Sequence, residues 1–163
     1  MKQRKRTNRL ILHHSLSDHA DVEEIDRWHR GRGFACIGYH YVIQKDGRLQ
    51  VGRPRDVQGA HALGRNGDSI GCCLVGDFRC YEPTVEQLER LGLLYHDLAH
   101  FYDKQLRVEF HRPHVFNIFE PTEYGRFDAC PGRVMDRADV LHVIERFDPF
   151  ASWRRATAVR GQP

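Results

Sequence analysis

Residues 9–15 read Arg9-Leu10-Ile11-Leu12-His13-His14-Ser15, a short apolar run that stops abruptly in polar side chains. Such a run reads as a buried strand that delivers those polar groups at its carboxyl end. The segments around it extend the pattern. Asp21 caps a helix that begins with Val22, and Glu24 stands at the capping-box position. Val22, Ile25, Trp28 and His29 fall on one face of that helix, and Gly31 and Gly33 end it. Ile37 to Ile43 is rich in aromatic and β-branched residues and reads as a strand. Asp46-Gly47 then turns the chain into an antiparallel return over 48–52.

Ser69 to Gly76 is a second apolar strand, flanked by glycines that imply a central position or close backbone contact. Its adjacent Cys72 and Cys73 must point to opposite faces, one into the core and the other under a helix or near a cleft. Thr84 and Gln87 open the longest helix, which runs to about Tyr102 on the stripe Val85, Leu88, Leu91, Leu94, Tyr95 and Leu98. Leu106 to Phe110 is a short strand with His111 directly after it. Residues 112–129 lack a period and read as a long loop. A last helix follows Asp136, with Val140, Leu141, Val143, Ile144 and Phe147 inward, and Asp148-Pro149 closes it. A hairpin inside a crossover-linked series predicts an α/β fold: a single domain whose central mixed β-sheet of about five strands is flanked by helices.

The chain has 163 residues, 40% of them hydrophobic, enough for one core and too few for two ordinary domains. The formal net charge is +3, and the basic excess gathers at the ends. Lys2, Arg4, Lys5 and Arg6 lie within 1–8 and Arg154, Arg155 and Arg160 within 151–163, so both ends read as solvated basic tails around a domain at 9–150. Such tails also suit attachment to an anionic polymer. A nucleic-acid partner is not expected, because a recognition helix rich in Arg or Lys and aromatics interleaved with basic residues are both lacking. No apolar run approaches a membrane span, so membrane insertion is not expected either. The run at 10–12 is too short for a secretory signal, which predicts cytoplasmic synthesis. Five cysteines without paired spacing fit a reducing compartment.

Among eleven histidines, His13 and His111 stand out at strand ends, where open α/β sheets place their sites. Cys130 lies in Ala129-Cys130-Pro131-Gly132, a loop where a thiol has no packing role. Two imidazoles and a thiolate leave a fourth tetrahedral position open, as in a catalytic zinc site. The same residues also read as satisfied polar groups at a sheet edge beside an incidental cysteine, and spacing alone does not choose between the two.

The ordered pieces along residues 9–135 resemble the type 2 N-acetylmuramoyl-L-alanine amidases, the family of amidase-type phage lysozymes and peptidoglycan recognition proteins. They are Leu10 to Ser15, Gly38 to Ile43, Asp46-Gly47, Gly52-Arg53, Gly59 to Ala62 with Asn66, Ser69 to Gly71, Val75-Gly76, Thr84 to Leu88, His111-Arg112 and Ala129 to Gly132. The resemblance implies a Zn2+ ion held by His13, His111 and Cys130, and a catalytic Tyr39 over the reacting centre. It implies that the loop with His61 lines the substrate groove, and Arg53, Arg65 and Asn66 are then candidate partners for peptide carboxylates. Where many phage members carry a lysine, this chain has Asp128, a candidate general base, and the loop between His111 and Cys130 is longer than theirs. The implied activity is zinc-dependent hydrolysis of the amide between N-acetylmuramic acid and L-alanine in peptidoglycan, by a monomeric endolysin that acts at the cell wall after release. Two alternatives keep the same fold: a peptidoglycan-recognition module with weak or no hydrolysis, and a cytoplasmic amidase acting on muropeptides during wall recycling.

Overall fold

The structure is a computed structural model that describes residues 1–111, 130–132 and 135–146. Its elements follow the expected order: β1 (Arg9–His14), α1 (Val22–Gly31), β2 (Tyr41–Ile43), β3 (Leu49–Val51), β4 (Ser69–Leu74), α2 (Val85–Phe101), β5 (Arg107–Phe110) and α3 (Arg137–Arg146). The five strands form one mixed sheet in the order β3-β2-β4-β1-β5. β1 pairs in parallel with both β4 and β5, β2 is parallel to β4, and only β3, joined by the Asp46-Gly47 turn, runs antiparallel. The run Ile37–Ile43 is shorter as a strand than its composition suggests: only Tyr41–Ile43 is strand, while Tyr39 and His40 keep backbone bonds to Arg53, Gly52 and Gly71 at the sheet end.

Both long helices begin where the capping signals place them. Asp21 accepts from the Glu24 amide at 2.8 Å, which is one half of the expected box. Thr84 and Gln87 form the complete reciprocal box, a cap that contributes on the order of 1 kcal/mol. Helices α2 and α3 cover one face of the sheet, where Leu10, Leu12, Ile43, Ile70, Cys72 and Leu74 meet Leu91, Leu94, Leu98, Val140 and Ile144. The other face holds a smaller core of Val42, Cys73 and Val75 with Ala20, Ile25 and Ile37, packed under α1. Cys72 and Cys73 therefore divide between the two cores as strand alternation requires. In α3, Leu141 is exposed rather than inward, since Val140 and Ile144 already fill the contact with α2. Phe147, Asp148-Pro149, the 112–129 loop and the C-terminal tail lie outside the described residues.

The first residues differ from the expected solvated tail. Arg4 reaches over the sheet and donates to the carbonyl oxygens of Val57 (3.3 Å) and Ser69 (3.3 Å), to that of Arg55, and to the Tyr102 hydroxyl (2.7 Å). Thr7 is buried. A guanidinium offers five donors, and the loop carbonyls around 55–57 offer acceptors that no strand satisfies.

His40 lies in the sheet end, fully buried, accepting from the Gly71 amide at Nδ1 (2.9 Å) and facing the Val57 carbonyl with Nε2 (3.0 Å). Burial holds its pKa down to about 4. A lowered folded pKa means the unfolded chain takes up the proton first, so stability is full above the ordinary histidine value and falls as pH drops below it. Between pH 7 and pH 5 this residue alone should cost about 2 kcal/mol of unfolding free energy. Urea midpoints at the two pH values check this. His40→Gln should lower stability at pH 7 yet flatten the pH slope by nearly one proton, and an unchanged slope would refute the assignment.

Candidate metal centre

The parallel pairing of β1 with β4 and β5 opens three strand ends at one edge. Alternation along β1 sends Leu10 and Leu12 into the α2 side, and Ile11 and His13 to the opposite face. His13 is 1% exposed. His111 follows β5 and continues its ladder, its amide donating to the Leu12 carbonyl at 3.2 Å. That bond brings the two rings together, with centroids 4.6 Å apart.

The third group arrives from a distant part of the chain. Cys130 Sγ lies 3.6 Å from His13 Nδ1. It is held by the segment after it: Gly132 has φ +95°, and a Cβ there would come within 2.3 Å of the Phe78 backbone. Phe78 is fixed in turn by its own amide, which donates to His14 Nδ1 at 3.2 Å. His14, buried beside Phe78, thus anchors the 76–79 loop on which the Cys130 segment rests. Its pKa is lowered to about 4, chiefly by burial, so the ring accepts as a neutral imidazole.

One ligand atom from each of His13, His111 and Cys130 lies within 4.8 Å of the others, the cluster of metal-ligating groups found among the described residues. Donors at bond lengths of about 2.0–2.3 Å around one tetrahedral ion stand roughly 3.3–3.8 Å apart, so small side-chain movements close the set. The donor chemistry also fits. His13 is kept well below its ordinary pKa, first by burial and then by His61 and His111, which leaves an imidazole lone pair free of proton competition.

Tyr39 packs against His13 with ring centroids 4.8 Å apart and against His29 at 5.2 Å. Burial, and then the neighbouring Cys73 and Cys130, push its phenol well above the usual range, so it stays a hydrogen-bond donor. His61 stands otherwise than expected. It is buried, with Nδ1 at 3.0 Å from His13 Nε2, and so backs the cluster, while Ala62, Leu63 and Arg65 of the same loop line a cleft. Asn66 fixes that loop, its Oδ1 accepting from the amides of His61 (2.8 Å) and Ala62 (2.9 Å). Arg53 is also buried, and its guanidinium donates to the carbonyls of Ile37 (2.9 Å), Gln58 (2.7 Å) and Cys36 (3.4 Å). Its donors are spent on tying loops together. Arg65 alone of the expected carboxylate partners is exposed, on a cleft also lined by Leu63, His111 and Gly132. Asp128 lies outside the described residues. Reading the sequence as a family member places His14 as a support for the ligands, as found, but misses Ser69, although Ser69 heads a strand whose partner residues line the centre.

Comparison with known proteins agrees with this arrangement. The family profile for N-acetylmuramoyl-L-alanine amidase matches residues 3–133. The endolysin of Enterobacteria phage K11 is 32% identical over 117 residues, 67% of this chain and 78% of that protein. The endolysin of Escherichia phage T7 is 42% identical over 78 residues, 46% of this chain and about half (52%) of that protein's length. Among solved structures, N-acetylmuramoyl-L-alanine amidase LysC from Clostridium intestinale URNW superposes with a TM-score of 0.71 at 28% identity, covering 83% of each chain.

A thiolate ligand has a spectroscopic signature. Cobalt(II) added to the metal-free protein should give a near-ultraviolet sulfur-to-metal band that Cys130→Ser abolishes and Cys73→Ala leaves in place. Gly132→Ala should weaken cobalt binding by roughly tenfold or more by displacing the Cys130 segment, a cost on the order of 1–3 kcal/mol. A band that persists in Cys130→Ser would exclude this cysteine as a ligand.

Proposed function

The chain belongs to the N-acetylmuramoyl-L-alanine amidase family, and we propose that it is a zinc-dependent member that cleaves the amide between the lactyl group of N-acetylmuramic acid and L-alanine, working as an endolysin on polymeric wall. The observation that carries the reading is the meeting of His13, His111 and Cys130 at one strand edge. Two neutral imidazoles and a thiolate are a donor set suited to zinc, with one coordination position left for chemistry. When bound there, zinc supplies Lewis acidity to the scissile carbonyl and an activated water near neutral pH.

The chain's own groups do the rest. His13 presents Nδ1 to the cluster, on the same side as Cys130 Sγ. Tyr39 keeps its phenolic proton and donates to the oxyanion that develops on the carbonyl, where a positioned donor is worth far more than in water. Arg65, exposed beside His111 on the same cleft, offers a fork for a stem-peptide carboxylate. Asp128 is the proposed carrier of the proton that must reach the departing alanine amine, in the place of the lysine found in many relatives. Among the described residues no helix is long and apolar enough to cross a membrane, and the wall itself is the proposed partner. The endolysin names of the phage relatives support polymeric wall over soluble muropeptides as substrate.

Incubation with purified peptidoglycan should release stem peptides bearing a free L-alanine amino terminus, detectable by mass spectrometry, and chelation should stop the release. Tyr39→Phe should lower kcat about 100-fold with zinc content unchanged, the loss expected for one oxyanion donor. Asp128→Asn should slow turnover while sparing zinc. A protein that regains no activity when zinc is returned would sink the amidase reading.

A further inference from the structure

Behind the metal cluster lies a second set of buried polar groups, and their hydrogen bonds have a direction. Ser69 is completely buried, and its hydroxyl carries one proton. Its Oγ lies 2.7 Å from the Arg65 carbonyl, which only accepts, so the proton is committed there. The same Oγ lies 3.3 Å from His61 Nε2, and with its proton spent it faces that nitrogen as an acceptor. His61 must then carry its proton on Nε2 and leave Nδ1 as a lone pair. Nδ1 is 3.0 Å from His13 Nε2, which must therefore supply the proton of that bond. A neutral His13 protonated on Nε2 has its lone pair on Nδ1, the atom that faces Cys130.

The opposite polarity would be ruinous. Were Ser69 to donate to His61, His61 would donate to His13, and His13 would point an N–H into the cluster. The Arg65 carbonyl removes that choice.

The ring of His61 is also held in place. A Cβ at Gly59 or at Gly71 would come within 2.5 Å of its ring atoms, so the two glycines form the slot it occupies. Asn66 fixes the backbone of the same residue. Ser69 and Gly71 sit on one face of β4 by strand alternation, and Gly71 pairs with Ile11 two residues before His13.

We propose that the Arg65 carbonyl, Ser69 and His61 form a directed relay that locks His13 in the Nε2–H tautomer and so makes Nδ1 the metal ligand. Resting on the zinc reading above, the relay makes His61 and Ser69 positioning residues for the metal, not groups that touch substrate. A hydrogen-bonded partner behind a histidine ligand typically governs metal affinity by about 10–100-fold.

Two measurements test the relay on the full chain. Ring nitrogen shifts from long-range proton–nitrogen correlation on the metal-free protein should show His13 and His61 both protonated at Nε2 and bare at Nδ1. A proton on His13 Nδ1 would overturn the relay, whatever the protein does with metal. Zinc affinity by chelator competition should fall about 10–100-fold in His61→Ala and about tenfold in Ser69→Ala. His61→Asn, whose amide oxygen stands near the place of Nδ1, should recover most of the loss, which a packing defect would not allow. Zinc bound equally well by wild type, His61→Ala and Ser69→Ala would also refute the relay. A wild-type chain that takes up no zinc would instead refute the metal reading, and the tautomer measurement would still decide the relay.

Discussion

Because β1 runs parallel to both β4 and β5, the carboxyl ends of three strands open on the same side of the sheet, and everything at the site hangs from those ends. The end of β1 supplies His13 and His14, the end of β5 supplies His111, and the turn after β4 carries Phe78. His111 reaches its place through a ladder bond to Leu12, so its distance from His13 is set by backbone pairing rather than by side-chain packing. Cys130 is far away in sequence, yet it too depends on the strand ends, since Gly132 seats against Phe78 and Phe78 is tied to His14. An antiparallel neighbour on either side of β1 would have sent one of these contributions to the opposite edge of the sheet.

The face of the sheet that carries the site is unusually polar for a buried surface. It holds His13, His40, His61 and Ser69, all nearly inaccessible. Burying such groups costs several kcal/mol each unless hydrogen bonds replace water. The structure supplies them from one another and from the backbone: His13 to His61, Ser69 to the Arg65 carbonyl, the Gly71 amide to His40. Gly71 has two uses, since its amide approaches the His40 imidazole and its missing side chain leaves room for the His61 ring. Neutral histidines in a satisfied lattice are rigid, and rigidity is what a coordination site needs from its surroundings.

The elements were legible in the sequence because each rests on a local signal: apolar runs for β1 and β4, the Asp46-Gly47 turn, the Thr84–Gln87 box. The grouping of His13, His111 and Cys130 was visible only as an ordered likeness to a family, because no local spacing connects them. What the sequence concealed were polar residues spent internally. Arg53, Asn66 and His61 sit among glycines and polar neighbours and read as exposed loop groups, yet each is consumed by backbone or ring partners that only the folded loop brings near. Arg4 hides in the same way, inside a run of basic residues whose neighbours Arg6 and Lys5 are exposed while Arg4 is bonded across the sheet end. Charge and loop position report composition. They do not report whether unsatisfied carbonyls lie within reach of a guanidinium.

Burial also sorts the acidic groups around the cluster. Cys73 lies beneath it, on the face shared with His13, and complete burial pushes its thiol well up, so it remains neutral. Tyr39 is likewise held as a phenol. Of the thiols close to His13 among the described residues, Cys130 is half-exposed and Cys73 is buried in the sheet core, and at Cys130 a bound cation would compensate a thiolate. With zinc bound as proposed, the donor set would be two neutral rings and one negative sulfur. A divalent cation held there would leave a net positive centre beside a phenol that keeps its proton. A developing oxyanion would then meet positive charge beside the phenolic proton of Tyr39, and neither Cys73 nor Tyr39 would compete as an additional anion.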